Sequence, residues 1–199
     1  MRQVHYLTDE QCTTLLNYLP KYFSRRKTLY SVLRCRVTVL LMLDAGLRVG
    51  ELVQLQWLHL WDENSAVKVL YLPGHVTKTK ESRQVPLTDR LQLAIENFYL
   101  FDPHTSMERL NSFVFCGTNG RDTLTTRSIQ LLLKKICRLC LYIDVTPHMF
   151  RHTFATCVMR KAPLSVLQNL LGHKRLSSTG IYLHPTIKDS VKAIKSLRR

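Results

Sequence analysis

The chain has 199 residues, of which 45% are hydrophobic and 22% charged, an ordinary globular composition that excludes disordered and fibrous classes and fits one compact domain. Lys and Arg number 29 against 14 Asp and Glu, a formal net charge of +15, and such an excess points to a polyanionic partner, nucleic acid first. No run of about 18 uncharged apolar residues occurs and no secretory signal pattern precedes Thr8-Asp9, so the reading is a soluble, cytoplasmic chain with no membrane partner.

In chain order, Thr8 with Gln11 three residues on forms a capping box that opens a short helix ending at Pro20. A basic loop, Lys21 to Lys27, leads to an apolar segment, Tyr30 to Ala45, long enough for a buried helix, with Gly46 as its stop. In LRVGELVQLQWLHL, Leu52, Leu55 and Leu58 recur at helical spacing and predict a second, turn-linked helix. From Ala66 to Leu87 short β-branched runs alternate with polar turns, which predicts a small antiparallel sheet of two or three strands. A helix over 88–100, a strand-like FVF at 113–115 and a turn at Gly117 to Asp122 follow. From Thr125 onward the pattern is helical. The fold class expected is mainly α (α+β) with a small antiparallel β-sheet.

The basic excess is uneven. Residues 121–199 hold 15 Lys or Arg and only Asp122, Asp144 and Asp189, whereas residues 1–120 hold 14 against 11. One sign dominating 79 residues favours a polyanion-binding surface over an ordinary solvated face. The six cysteines, at 12, 35, 116, 137, 140 and 157, lie in or beside apolar runs and read as reduced core thiols. Cys137 and Cys140 form a C-x-x-C, but it falls in a helical segment without the second pair that structural zinc needs. His148 and His152 are spaced i, i+4 as in zinc proteases, yet Met149 stands where their glutamate belongs. No metal site is expected.

The groups that suit chemistry are scattered. Arg48 follows a glycine on an inter-helix turn, where backbone approaches a ligand closely. Lys78 lies at the turn of the predicted hairpin. His148 and Arg151 share one face of a helix opening at Pro147, a favourable anion site. Gly172 stops a helix and places His173 at its boundary, with Tyr182 nine residues further on. Two guanidinium forks can hold the non-bridging oxygens of a phosphate, a mobile lysine can protonate a departing alkoxide, and a tyrosine hydroxyl can form a covalent intermediate. Each group alone has an ordinary surface explanation, and the case rests on their arriving together.

The set resembles the tyrosine site-specific recombinases, the phage integrase family. The resemblance is carried by Gly46-Leu47-Arg48 with Glu51-Leu52, Lys78, His148 with Arg151, Gly172-His173 and Tyr182, in that order, with matches from about Leu7 to His184. It implies a helical tyrosine-recombinase catalytic domain. The implied reaction needs neither divalent metal nor ATP, hence no cofactor: Tyr182 attacks double-stranded DNA to give a 3′-phosphotyrosine and a free 5′-hydroxyl that can reverse the step. In family terms Arg48 and Arg151 hold the phosphate, Lys78 is the acid, His148 and His173 assist proton transfer, and Glu51 supports the site. A homo-oligomer, a tetramer in the DNA synapse, and accessory DNA-bending proteins are the partners implied. Two positions depart from the family: Gly50 stands where Ser or Thr is common, and His59 where an acidic residue is.

The domain expectation is a catalytic domain over 1–185 and an amphipathic tail over 186–199, in which Ile187, Val191, Ile194 and Leu197 recur at helical intervals and dock on a neighbouring protomer or on their own domain. A separate N-terminal core-binding domain is expected to be absent. The length and the Met1 start point to the short type resembling fimbrial phase-switch invertases rather than to a fragment. Competing readings are a type IB topoisomerase that relaxes supercoils, a non-catalytic DNA-binding protein on the same scaffold, and a metal-dependent nuclease. The compact ending, Gly172-His173 with Tyr182 nine residues after the histidine, disfavours the first, the intact set of reactive groups the second, and the shortage of clustered Asp and Glu the third.

Overall fold

The structure is a computed structural model that describes residues 6–23, 29–102, 109–117 and 122–172. Helix α1, Asp9–Phe23, opens on the capping box read from sequence: the Thr8 N–H donates to Gln11 Oε1 at 2.9 Å and the Gln11 N–H to Thr8 Oγ1 at 3.2 Å. It does not end before Pro20 as expected. Leu15, Leu16 and Leu19 are buried and Tyr22 packs against the same core. A proline in the final turn forfeits one backbone bond, and the burial on either side of it outweighs that loss.

Helix α2, Leu29–Asp44, is the centre of the molecule and packs against α1, α5 and α7. Its residues from Val37 to Met42 are almost wholly shielded; each large aliphatic side chain buried this way contributes roughly 1.5–3 kcal/mol. Beyond it the expected single helix is two one-turn helices, α3 (Val49–Leu52) and α4 (Trp57–Leu60). Leu52 and Leu55 are buried but Leu58 faces solvent, so the three leucines do not form one stripe. Gln56 is extended, bridges to Phe113, and donates its N–H to His59 Nδ1 at 3.0 Å. His59 thereby supplies the acceptor that a carboxylate or amide normally supplies at this position of a capping box.

The sheet is two separate antiparallel pairs: β1 (Trp61–Asp62) with β2 (Ser65–Ala66), and β3 (Val69–Leu72) with β4 (Arg83–Pro86). In the second pair Val69 lies opposite Pro86 and Leu72 opposite Arg83. Residues 113–115 form no strand among the described residues; the segment contributes isolated bridges, Gln56 to Phe113 and, just beyond, Cys116 to Thr123. Helix α5 (Asp89–Leu100) is capped by Thr88, and α6 (Thr126–Leu141) by Thr125. Helix α6 turns Ile129, Leu133, Ile136 and Cys137 inward and leaves Arg127, Lys135 and Arg138 exposed. Helices α7 (Pro147–Met159) and α8 (Leu164–Leu171) follow, with Pro147 in the first turn of α7.

The six cysteines are free thiols. Burial, then its neighbours Cys140, Cys35 and Cys12, push the Cys137 thiol up to about 12, which makes it an apolar packing group. None of the described helices is long and apolar enough to cross a membrane. The mainly helical class with a small antiparallel β component is as the sequence predicts.

Candidate active site

Arg48 is placed by the turn that leaves α2. Gly46 has φ +64, and a Cβ there would lie 2.4 Å from Phe154 Cδ1, so both backbone conformation and packing exclude a side chain. The chain then reverses, Leu47 N–H donating to the Leu41 carbonyl at 3.2 Å, and Arg48 becomes the extended residue capping α3.

Glu51, almost wholly buried, lies beneath it. Its carboxylate accepts the Arg48 backbone N–H at 2.8 Å and Arg48 Nη1 at 3.2 Å. On its other side it receives the fork of Arg83, Nη1 to Oε1 at 2.9 Å and Nη2 to Oε2 at 2.7 Å, where both side chains are 2% exposed. Burial by itself would raise the Glu51 carboxyl; the hydrogen bonds and charge of Arg83, then the Arg48 N–H and the charge of Arg151, hold it below the ordinary carboxylate value. It is an ionised anchor.

Arg151, on the second turn of α7, is 4% exposed. Its Nη1 donates to the Gly46 carbonyl at 2.6 Å and its Nη2 to the Leu171 carbonyl at 2.8 Å. One guanidinium therefore ties the Arg48 turn to the end of α8, where Gly172 stops the helix with φ +61. His148 stands exposed one turn earlier on α7, its ring centroid 6.5 Å from that of His152. Burial, followed by the charges of His148 and Arg151, lowers the pKa of His152. Among the described residues no group of three His, Cys, Asp or Glu could hold a metal ion.

Lys78 lies exposed on the loop between β3 and β4. That loop is folded on itself: the Thr77 hydroxyl reaches the carbonyls of Gly74 at 3.1 Å and Glu81 at 2.8 Å. A Cβ on Gly74 would meet the Lys80 carbonyl oxygen at 2.6 Å, so the tight closure that presents Lys78 depends on glycine there.

Arg48, Lys78, His148 and Arg151, with Glu51 and His75, line one cavity of ≈ 370 Å³. Three segments about a hundred residues apart at their extremes in sequence thus meet at one opening. Its cationic groups and its buried, already-paired carboxylate suit an anion with several oxygens. His173 and Tyr182 lie outside the described residues, as does the tail over 186–199. The residue that sequence reasoning missed is Arg83. A signal was available: in β4 the inward positions are Arg83 and Val85, and a charged residue on the inward face of an alternating strand needs a buried partner.

Comparison with known proteins gives a consistent picture. The tyrosine recombinase XerC of Oceanobacillus iheyensis is 38% identical over 158 residues, which are 76% of this chain and 49% of that protein. The tyrosine recombinase XerA of Pyrococcus horikoshii is 34% identical over 167 residues, 83% of this chain and 55% of that protein. The chain spans about half the length of the curated relatives it matches. In fold it is similar to the XerH site-specific recombinase bound to difH substrate in a pre-cleavage complex, with a TM-score of 0.76 at 21% identity, covering 99% of this chain and 55% of that one. The model of the Phage integrase family matches residues 5–188, and with that match and these relatives the chain belongs to the phage integrase family.

Proposed function

We propose that this domain cuts and rejoins double-stranded DNA at specific sites through a covalent 3′-phosphotyrosine. The observation that carries the reading is the convergence of Arg48, Lys78, His148 and Arg151 on one cavity. Arg48 and Arg151 bind the non-bridging oxygens of the scissile phosphate and offset the charge that builds in the transition state. The Tyr182 oxygen bonds to phosphorus as its proton leaves to a nearby base, the role of His148 or His173. The bond from phosphorus to the 5′ oxygen breaks, and Lys78 delivers the proton that makes the 5′-hydroxyl. Reversal by a second 5′-hydroxyl exchanges strands, because the phosphotyrosine retains the energy of the broken phosphodiester. Integration, excision and inversion use the same chemistry.

Support for DNA as partner comes from the basic C-terminal region, from relatives named tyrosine recombinases, and from a structural neighbour bound to its substrate. The full reaction joins two sites and needs a homo-oligomer, a tetramer in the synapse, with DNA-bending proteins as accessory partners and a cytoplasmic setting. The tail over 186–199 is proposed as the segment that docks on a neighbouring protomer.

The test is a suicide substrate, nicked so that the 5′-hydroxyl strand diffuses away, incubated with the protein in EDTA. A covalent adduct is expected from the wild type and none from Tyr182→Phe. No adduct from the wild type, or equal adduct from Tyr182→Phe, overturns the assignment.

A further inference from the structure

We propose that Arg83 is a positioning residue that orients Arg48 for the phosphate, acting through the Glu51 carboxylate; the inference rests on the recombinase reading above. Arg83 is not among the residues that line the cavity. It lies behind, at the start of β4, just after the loop that presents Lys78.

Three contacts give it this role. Its fork fills both Glu51 oxygens, at 2.9 and 2.7 Å, which fixes the plane of the carboxylate in a way one ammonium cannot. The fixed carboxylate then accepts both the backbone N–H and the Nη1 of Arg48. That sets where the Arg48 backbone turns and where its guanidinium points, although the Arg48 side chain itself is 21% exposed. Finally, Arg83 packs under the end of α8: a Cβ on Gly172 would lie 3.2 Å from Arg83 Cδ. The Arg83 Nε is buried and has no hydrogen-bond partner among the described residues. One side chain thus joins the Lys78 hairpin, the Arg48 turn and the residue that precedes His173.

A purely structural ion pair would hold the fold together but would not act through Arg48. The fork geometry says more, because the Glu51 oxygens that meet Arg83 are the same two that meet Arg48. Where Arg83 is replaced by lysine, the charge survives and the second hydrogen bond is lost, so the carboxylate can rotate away from the Arg48 N–H.

Two measurements on Arg83→Lys test this. In the DNA-free protein, the Arg48 amide should exchange hydrogen faster by about tenfold or more, in keeping with a weakened charge-assisted bond, while the amides of α5 keep their protection. With saturating suicide substrate, the single-turnover rate of covalent adduct formation should fall by about tenfold or more with DNA affinity changed less than about twofold. In an Arg48→Lys background the same change should cost less than about threefold, because the residue through which Arg83 acts is already gone. Equal losses in both backgrounds, or an unchanged Arg48 amide, overturn the proposal. If the wild type forms no adduct, the recombinase reading fails and the exchange of the Arg48 amide still decides the positioning role. If Arg83→Lys does not fold, Glu51→Asp replaces it: this keeps the charge pair but withdraws the carboxylate from Arg48, and the same two effects are expected, with their absence counting as refutation.

Discussion

Replacing Glu51 with glutamine probes the buried network directly. The substitution keeps the shape and one carbonyl oxygen but puts an NH2 group where a second acceptor was, facing donors from Arg83 and Arg48. Four hydrogen bonds, between 2.7 and 3.2 Å, are at stake. The larger effect is electrostatic. Arg83 is 2% exposed and cannot lose its proton, so without Glu51 it becomes an uncompensated buried cation, a change that typically costs about 3–5 kcal/mol. For a domain of this size, about 2–4 °C accompanies each kcal/mol, so a Tm drop on the order of 10 °C is expected. Urea unfolding at pH 7 should show the midpoint fall with the slope against denaturant unchanged. The double variant Glu51→Met with Arg83→Met should recover much of the loss, because a buried pair exchanged for apolar groups of similar volume is often near neutral. A loss below about 1 kcal/mol for Glu51→Gln, the range of an exposed pair, would refute the burial argument.

Gly46→Ala should destabilise by about 2–4 kcal/mol, from the positive φ and from the collision with Phe154; adding Phe154→Leu should restore only the collision part, and full restoration would show that φ carries no strain. Below pH about 6.5 the fold should weaken as His59 and His152 resist protonation. Burial, then the charge of His75, lowers the pKa of His59, and His152 is lowered as well. Both are neutral in the fold while the unfolded chain takes up protons, so their contribution is complete above that pH and is lost as pH falls through their folded values. Urea midpoints from pH 7.5 to 5 check this, with His59→Gln expected to flatten the profile by keeping an acceptor for the Gln56 N–H; an equally steep profile in the variant would discard His59 as a source. Lys78→Met should leave stability within about 0.5 kcal/mol, since the side chain is exposed, and slow strand cleavage by about 100-fold or more if it is the acid. A substrate whose 5′ bridging oxygen is sulfur needs no proton to depart and should recover most of that rate; equal slowness on both substrates would remove Lys78 from the role.

The short-range features were legible because their causes lie within a few residues. The Thr8 and Gln11 capping box, the stop of α2 at Gly46, the Thr88 and Thr125 starts and the Gly172 stop each follow from backbone donors that need a partner or a φ that needs glycine. The family resemblance was legible for a related reason: the spacing of the reactive groups along the chain is itself a sequence property. Burial decided what was misread. Pro20 remains inside α1 because Leu15, Leu16, Leu19 and Tyr22 find a core on both sides of it. The leucines at 52, 55 and 58 look like one stripe, yet the chain breaks between α3 and α4 because Gln56 pairs with Phe113, more than fifty residues away.

The site divides in the same way. Sequence alone determined which residue types were present and in what order, and so the chemistry they could perform together. Only the tertiary structure brings Arg48, Lys78, His148 and Arg151 to one cavity, and only it pairs Glu51 with Arg83. Such pairing is set by the exclusion of water around two charges thirty-two residues apart, and a pattern of local periodicity carries no record of which distant group a buried charge will find.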